Sequence, residues 1–106
     1  MEPAVKDHEL TFEELCKIVA PIAAKHRMIK VYLFGSRARG DNRKDSDFDF
    51  CVLPPENCGF MELGALLYEL KDALGANVDL VSEGGLSRKP SVMEEVLHDR
   101  KIIFEA

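Results

Sequence analysis

The chain has no apolar run of the roughly 18 residues needed to cross a bilayer, and its first ten residues, MEPAVKDHEL, are too charged for the apolar core of a signal peptide. A cytoplasmic protein with no membrane contact is the expectation. Basic charge is not in excess either: 14 Lys and Arg stand against 19 Asp and Glu, for a net charge of −5. That balance argues against a general nucleic-acid-coating surface, so direct nucleic-acid binding is not expected. Cysteine is scarce. Cys16, Cys51 and Cys58 form no CxxC pair and leave an odd thiol over, which excludes a disulfide framework and a Cys-based zinc site and predicts reduced, mostly buried thiols. His8, His26 and His98 lack metal-ligand spacing and read as surface or helix-end residues. Internal repeats, low-complexity tracts and Ser/Gly linkers are absent too. At 106 residues and 46% hydrophobic content, the expectation is one domain over residues 1–106, with function confined to a local site.

What is present alternates between helical and strand signals. Thr11 and Glu14 form a capping-box pattern ahead of Phe12, Leu15, Ile18, Val19 and Ile22, which predicts a helix that kinks or restarts near Pro21. KVYLF at 30–34 reads as a buried strand ended by Gly35, and DFDFCVL at 47–53 as a second strand stopped by Pro54 and Pro55. Phe60, Leu63, Leu67, Leu70 and Leu74 step by three and four, giving an amphipathic helix that Gly75 can end. NVDLV at 77–81 predicts a third strand. Ser91 with Glu94 predicts a short helix through about Leu97, and KIIF at 101–104 a last strand. Loops are expected at 39–46 and 82–90. Alternation of this kind points to an α/β (α+β) protein, a mixed sheet flanked by helices.

The segment FGSRARGDNRKDSDFDF, residues 34–50, carries the chemistry. Side chains alternate along a strand, so Asp47 and Asp49 point to one side and Phe48 and Phe50 to the other. Two carboxylates in one small volume repel unless a divalent cation lies between them, and Mg²⁺ prefers such oxygens, completing its shell with water and substrate phosphates. Asp79 is a third acid, set inside an apolar strand where a charge is costly unless it is paired, metal-bound or faces a cleft. The three acids could hold one or two metals, or two could hold metal while the third acts as a base. Gly35 lets the backbone turn tightly and expose N–H groups to a phosphate, Ser36 adds a hydroxyl, and Arg37 and Arg39 flank the turn as candidate phosphate contacts. Residues 36–46 hold four basic and two acidic side chains, a local +2 that leaves −7 on the rest of the chain. Singly, each feature has a plain structural explanation: a turn, a solvated loop or a paired acid. Their combination in one strand-turn-strand unit is harder to assign to chance.

Gly35-Ser36, ten intervening residues and Asp47-Phe48-Asp49 match the G-S-x(10)-D-x-D signature of the DNA polymerase β-like nucleotidyltransferase superfamily. The longer string GSRARGDNRKDSDFDF resembles its minimal nucleotidyltransferase branch, with Phe50-Cys51 standing where an aliphatic pair is commoner. The resemblance covers nearly the whole chain. It implies a polymerase β-like mixed-sheet fold and Mg²⁺-dependent transfer, expected to use two ions, of AMP from ATP to a hydroxyl. It implies further that Gly35 and Ser36 hold the outer phosphates, Asp47 and Asp49 ligate Mg²⁺, and Asp79 assists as ligand or base. Minimal members usually work beside a helical HEPN-type protein as toxin and antitoxin pairs, so a tyrosine of such a partner is the implied acceptor and antitoxin the implied role. Two alternatives stand beside it: an antitoxin that inhibits by binding alone, and a stand-alone nucleotidyltransferase acting on a small molecule or RNA. The larger relatives carry extra domains to grip their substrates, for which 106 residues leave no room.

Overall fold

The computed structural model describes residues 10–43, 46–82 and 90–106. Along the chain it comprises α1 (Phe12–Lys25), β1 (Lys30–Phe34), α2 (Ser36–Arg39), β2 (Phe48–Leu53), α3 (Phe60–Leu74), β3 (Val78–Ser82), α4 (Pro90–Asp99) and β4 (Lys101–Glu105). The strands form one sheet in the order β3-β2-β1-β4. β1 runs antiparallel to β2 and β4, whereas β2 and β3 are parallel. A parallel pair cannot be joined by a hairpin, and α3 supplies the crossover. This is the mixed sheet flanked by helices that the α/β alternation predicts.

α1 begins as its sequence dictates: the Thr11 hydroxyl accepts from the Glu14 amide at 3.0 Å, and Thr11 N–H donates to Glu14 Oε1 at 2.9 Å. It does not restart at Pro21, one of the two outcomes expected there, but runs to Lys25 with the proline inside it. Pro21 is exposed, as is Lys17 one turn earlier, so the carbonyl that loses its N–H partner can be hydrated. The helix closes in a Schellman turn, Arg27 N–H donating to Ala24 O and Met28 N–H to Ala23 O, with Arg27 at φ 62°.

α3 also departs from the reading in detail. Its buried stripe is Leu66, Leu70 and Leu74, with Leu63 and Leu67 beside it, while Phe60 stands in solvent. Gly75 ends it in the left-handed conformation, as expected. α4 starts at Pro90, so Ser91 lies within its first turn rather than capping it, and the helix reaches Asp99. The expected loop at 82–90 falls mainly on 83–89, outside the described residues, as does His8.

Strand alternation sorts the core into two layers. Val31, Leu33, Phe48, Phe50, Val52 and Val78 face α1 and α3, meeting Leu15, Val19, Ala23, Leu66, Leu70 and Leu74. The Phe48 and Phe50 rings stack there at 6.1 Å. Tyr32, Phe34 and Cys51 point the other way, against Val96 of α4, with Val81 beside them. All three cysteines are free, but only Cys51 is fully buried; burial raises the thiols of Cys16 and Cys58. His26 does lie at a helix end, yet it is buried there, its ring nitrogens bonded to Glu62 and Glu69 of α3.

Candidate active site

Where β1 ends, Gly35 adopts φ 80°, a conformation that side chains disfavour. A second constraint coincides with it: a Cβ at Gly35 would lie 2.3 Å from Asp49 Oδ2 and 3.2 Å from its Cγ. The chain therefore turns directly against the carboxylate of the middle acid. Ser36 then opens the single turn of α2, its carbonyl accepting from Gly40 N–H at 2.9 Å and Asp41 N–H at 3.1 Å. Gly40 closes the turn at φ 86° with open space around it, so there the backbone alone calls for glycine.

The acids meet this turn from β2 and β3. Asp49 is opposite Phe34 in the antiparallel register and beside Asp79 in the parallel one, strands being about 4.8 Å apart. Because Phe48, Phe50, Val78 and Leu80 serve the α1/α3 layer, Asp49 and Asp79 face the α4 side of the sheet. Asp49 is half-buried, Asp79 exposed, and Asp47 exposed one residue ahead of the strand. The structure thus brings Gly35, Ser36, Asp49 and Asp79 to one end of one sheet face, with Asp47 at the entrance. Among the described residues no three or more acidic, His or Cys side chains are gathered into a cluster able to hold a metal by themselves. The donor set still suits Mg²⁺, which commonly takes one or two carboxylates and completes its shell from water and substrate phosphates.

The two arginines have protein partners. Arg37 donates from Nε and Nη2 to the Ser46 carbonyl at 3.0 and 2.7 Å, and its guanidinium lies 3.9 Å over the Phe48 ring. It pins the loop immediately before Asp47. Arg39 pairs with Asp41 at 3.1 Å and with Asp99 at 2.7 Å, which raises its pKa. Asp99 bonds His98 and Arg39, and these hold its carboxyl below the usual range. Asp99 and Arg100, whose guanidinium lies 4.6 Å over Tyr32, fasten the α4–β4 corner to the turn and the sheet. Neither is marked by the sequence pattern, since Arg39 and Asp99 are 60 residues apart.

The family described as "Polymerase beta, Nucleotidyltransferase" matches residues 17–106. A Methanocaldococcus jannaschii protein named "Putative protein adenylyltransferase" is 29% identical over 90 residues, 85% of this chain and 95% of that protein. Another protein of that name and organism is 33% identical over 79 residues, 70% of this chain and 79% of that protein. A solved "putative minimal nucleotidyltransferase" superposes with a TM-score of 0.72 at 35% identity, covering 88% of this chain and 96% of the other. The same fold occurs in the Shewanella oneidensis MNT antitoxin, solved in complex with a tri-AMPylated HEPN toxin, at 20% identity and TM-score 0.67, covering 91% and 74% of the two chains.

Proposed function

Since the chain belongs to the polymerase beta nucleotidyltransferase family, we propose that it transfers AMP from ATP to a hydroxyl of a protein, the acceptor being a tyrosine of a HEPN-type helical partner and the role that of an antitoxin. One observation carries the reading: the Asp49 carboxylate rests on the Gly35 backbone in a left-handed turn and has Asp79 as its register neighbour. A phosphate-binding turn and a carboxylate pair are then the same structure. The names of the curated relatives, protein adenylyltransferases, support a protein acceptor.

In this reading the Gly35–Ser36 turn holds the outer phosphates of ATP, and Asp47 and Asp49 would ligate Mg²⁺. The ion, when bound, neutralises charge on the triphosphate and the pyrophosphate leaving group. Arg37 sets the position of Asp47 by holding Ser46, and Arg39, 40% exposed beside the turn, contacts a phosphate. The acceptor oxygen attacks the α-phosphorus in line, its bond to phosphorus forms as the bond to pyrophosphate breaks, and its proton passes to an Asp79 carboxylate oxygen.

The test is incubation with labelled ATP, Mg²⁺ and a HEPN-type protein encoded beside this one. Label should appear on a partner tyrosine and be lost with Asp47→Asn or Asp49→Asn. Equal labelling by wild type and the double variant would overturn the proposal, as would full neutralisation of the partner by a folded double variant.

A further inference from the structure

α3 has two apolar faces, of which the fold uses one. Turned away from the Leu66, Leu70 and Leu74 stripe stand Met61 at 88% exposure and Tyr68 at 71%, while Phe60, at 93%, projects from the start of the helix at the edge between the two faces. Gly64 and Ala65, both exposed, lie between them. Gly64 is unexplained by the monomer. A glycine inside a helix is unfavourable relative to alanine, and a Cβ here would meet nothing within 4 Å. A glycine at this exposed position leaves room for another surface to approach the helix axis.

From this face we infer that the protein forms a reversible homodimer in which α3 packs antiparallel on α3 of a second copy. The face is complementary to itself. At 100° per residue, Phe60 and Lys71 fall on one flank, Met61, Ala65 and Asp72 on the other, and Gly64 and Tyr68 between. A two-fold axis perpendicular to the helices brings like flanks together. With the crossing centred on Gly64 and Ala65, Met61 meets Tyr68 of the second copy, and Phe60 meets the Lys71 stem and ammonium. Asp72 then reaches the start of the other α3. That terminus is capped by Gly59 with no side-chain hydrogen bond, so its N–H groups and positive dipole end are open to a carboxylate.

Area argues for the same occupant and sets the strength. Three large side chains this exposed, with the small residues between them, offer roughly 500 Å² per copy, the size of the largest apolar patch on an ordinary monomer. Two copies would bury on the order of 1,000 Å², the lower limit for a specific interface. The association is therefore weak and concentration-dependent. The face lies on the opposite side of the sheet from Asp49 and Asp79, so the inference is independent of the transfer chemistry.

Sedimentation velocity of the intact chain across a concentration series, from about 1 μM to about 1 mM, tests it. A monomer–dimer equilibrium is expected, and Tyr68→Glu or Met61→Glu should weaken it at least about tenfold while leaving the far-ultraviolet spectrum unchanged. Gly64→Ala separates packing from folding. It should raise the thermal midpoint of the dilute monomer by about 4 °C, through helix propensity, and yet weaken the dimer. A wild type that stays monomeric throughout overturns the inference, and so does a dimer indifferent to all three substitutions. It is equally overturned if wild type is monomeric and these substitutions abolish binding to a helical partner protein, which would give the face to that partner.

Discussion

Gly35 is constrained twice, by its backbone angle and by a carboxylate, and the two constraints predict different losses. Gly35→Ala should destabilise the fold by more than about 1 kcal/mol, because alanine must adopt a positive φ and its Cβ must displace Asp49. AMP transfer should fall further than stability does, which a denaturant titration beside the labelling assay will separate. Arg27 is the converse, a left-handed position in the Schellman turn filled by a residue with a Cβ. Arg27→Gly should stabilise the protein by about 0.5–1 kcal/mol, read as a higher denaturation midpoint with an unchanged slope. Sequence alone marks Gly35, because a glycine at a strand end beside a serine and two acids forms a pattern. It cannot mark Arg27, because nothing in HRMI announces a positive φ.

At the scale of elements, α1 and α3 are joined by more than apolar packing. Burial opposes charging His26, but its bonds to Glu62 and Glu69 outweigh this and raise its pKa above the ordinary 6.5; the same bond to His26, with one from Lys25, lowers Glu69 below its ordinary 4.5. A raised histidine contributes stability that is complete below 6.5 and lost as pH rises through its folded value. A lowered glutamate contributes stability that is complete above 4.5 and lost as pH falls through its folded value. The cluster is therefore at full strength between pH 4.5 and 6.5. Thermal melts across pH should show wild type losing stability relative to His26→Gln on the alkaline side of that window. This cluster was not legible in the sequence, where His26 reads as a helix-end residue, since its acids lie on the next long helix. The helices and strands themselves were legible, because a period of two or of 3.6 is a local property. Phe60 misleads for a related reason. It fits the three-and-four spacing of the α3 leucines, but it is the first residue of the helix and stands in solvent, and periodicity does not say how far along a helix the covering layer reaches.

For the whole molecule, the proposed site and the fold make separable demands on metal. Asp47 and Asp79 are exposed and Asp49 only half-buried, so none of the three is a fully buried carboxylate whose charge calls for an ion. A chelator should abolish AMP transfer and leave the melting of the nucleotide-free protein unchanged. ATP with Mg²⁺ at about 100 times Kd should add about 2.7 kcal/mol of stability, and Asp47→Asn with Asp49→Asn should remove that gain. The convergence of Gly35, Asp49 and Asp79 was readable only as a motif. The parallel register that places Asp49 beside Asp79 depends on α3 crossing the sheet, and no local pattern encodes a register.

The strand order also bears on how the chain is made. β1 lies inside the sheet with β2 on one side and β4 on the other, yet β4 follows the other three strands along the chain. On the ribosome, Val31 and Leu33 therefore belong to a strand with one raw edge until residues 101–105 emerge, a delay of several seconds at about 5–20 residues per second. A stalled or truncated nascent chain lacking β4 would leave the apolar β1 as an edge, a place the finished sheet gives to β4, whose exposed Lys101 and Glu105 are charges of the kind that discourage edge-to-edge pairing.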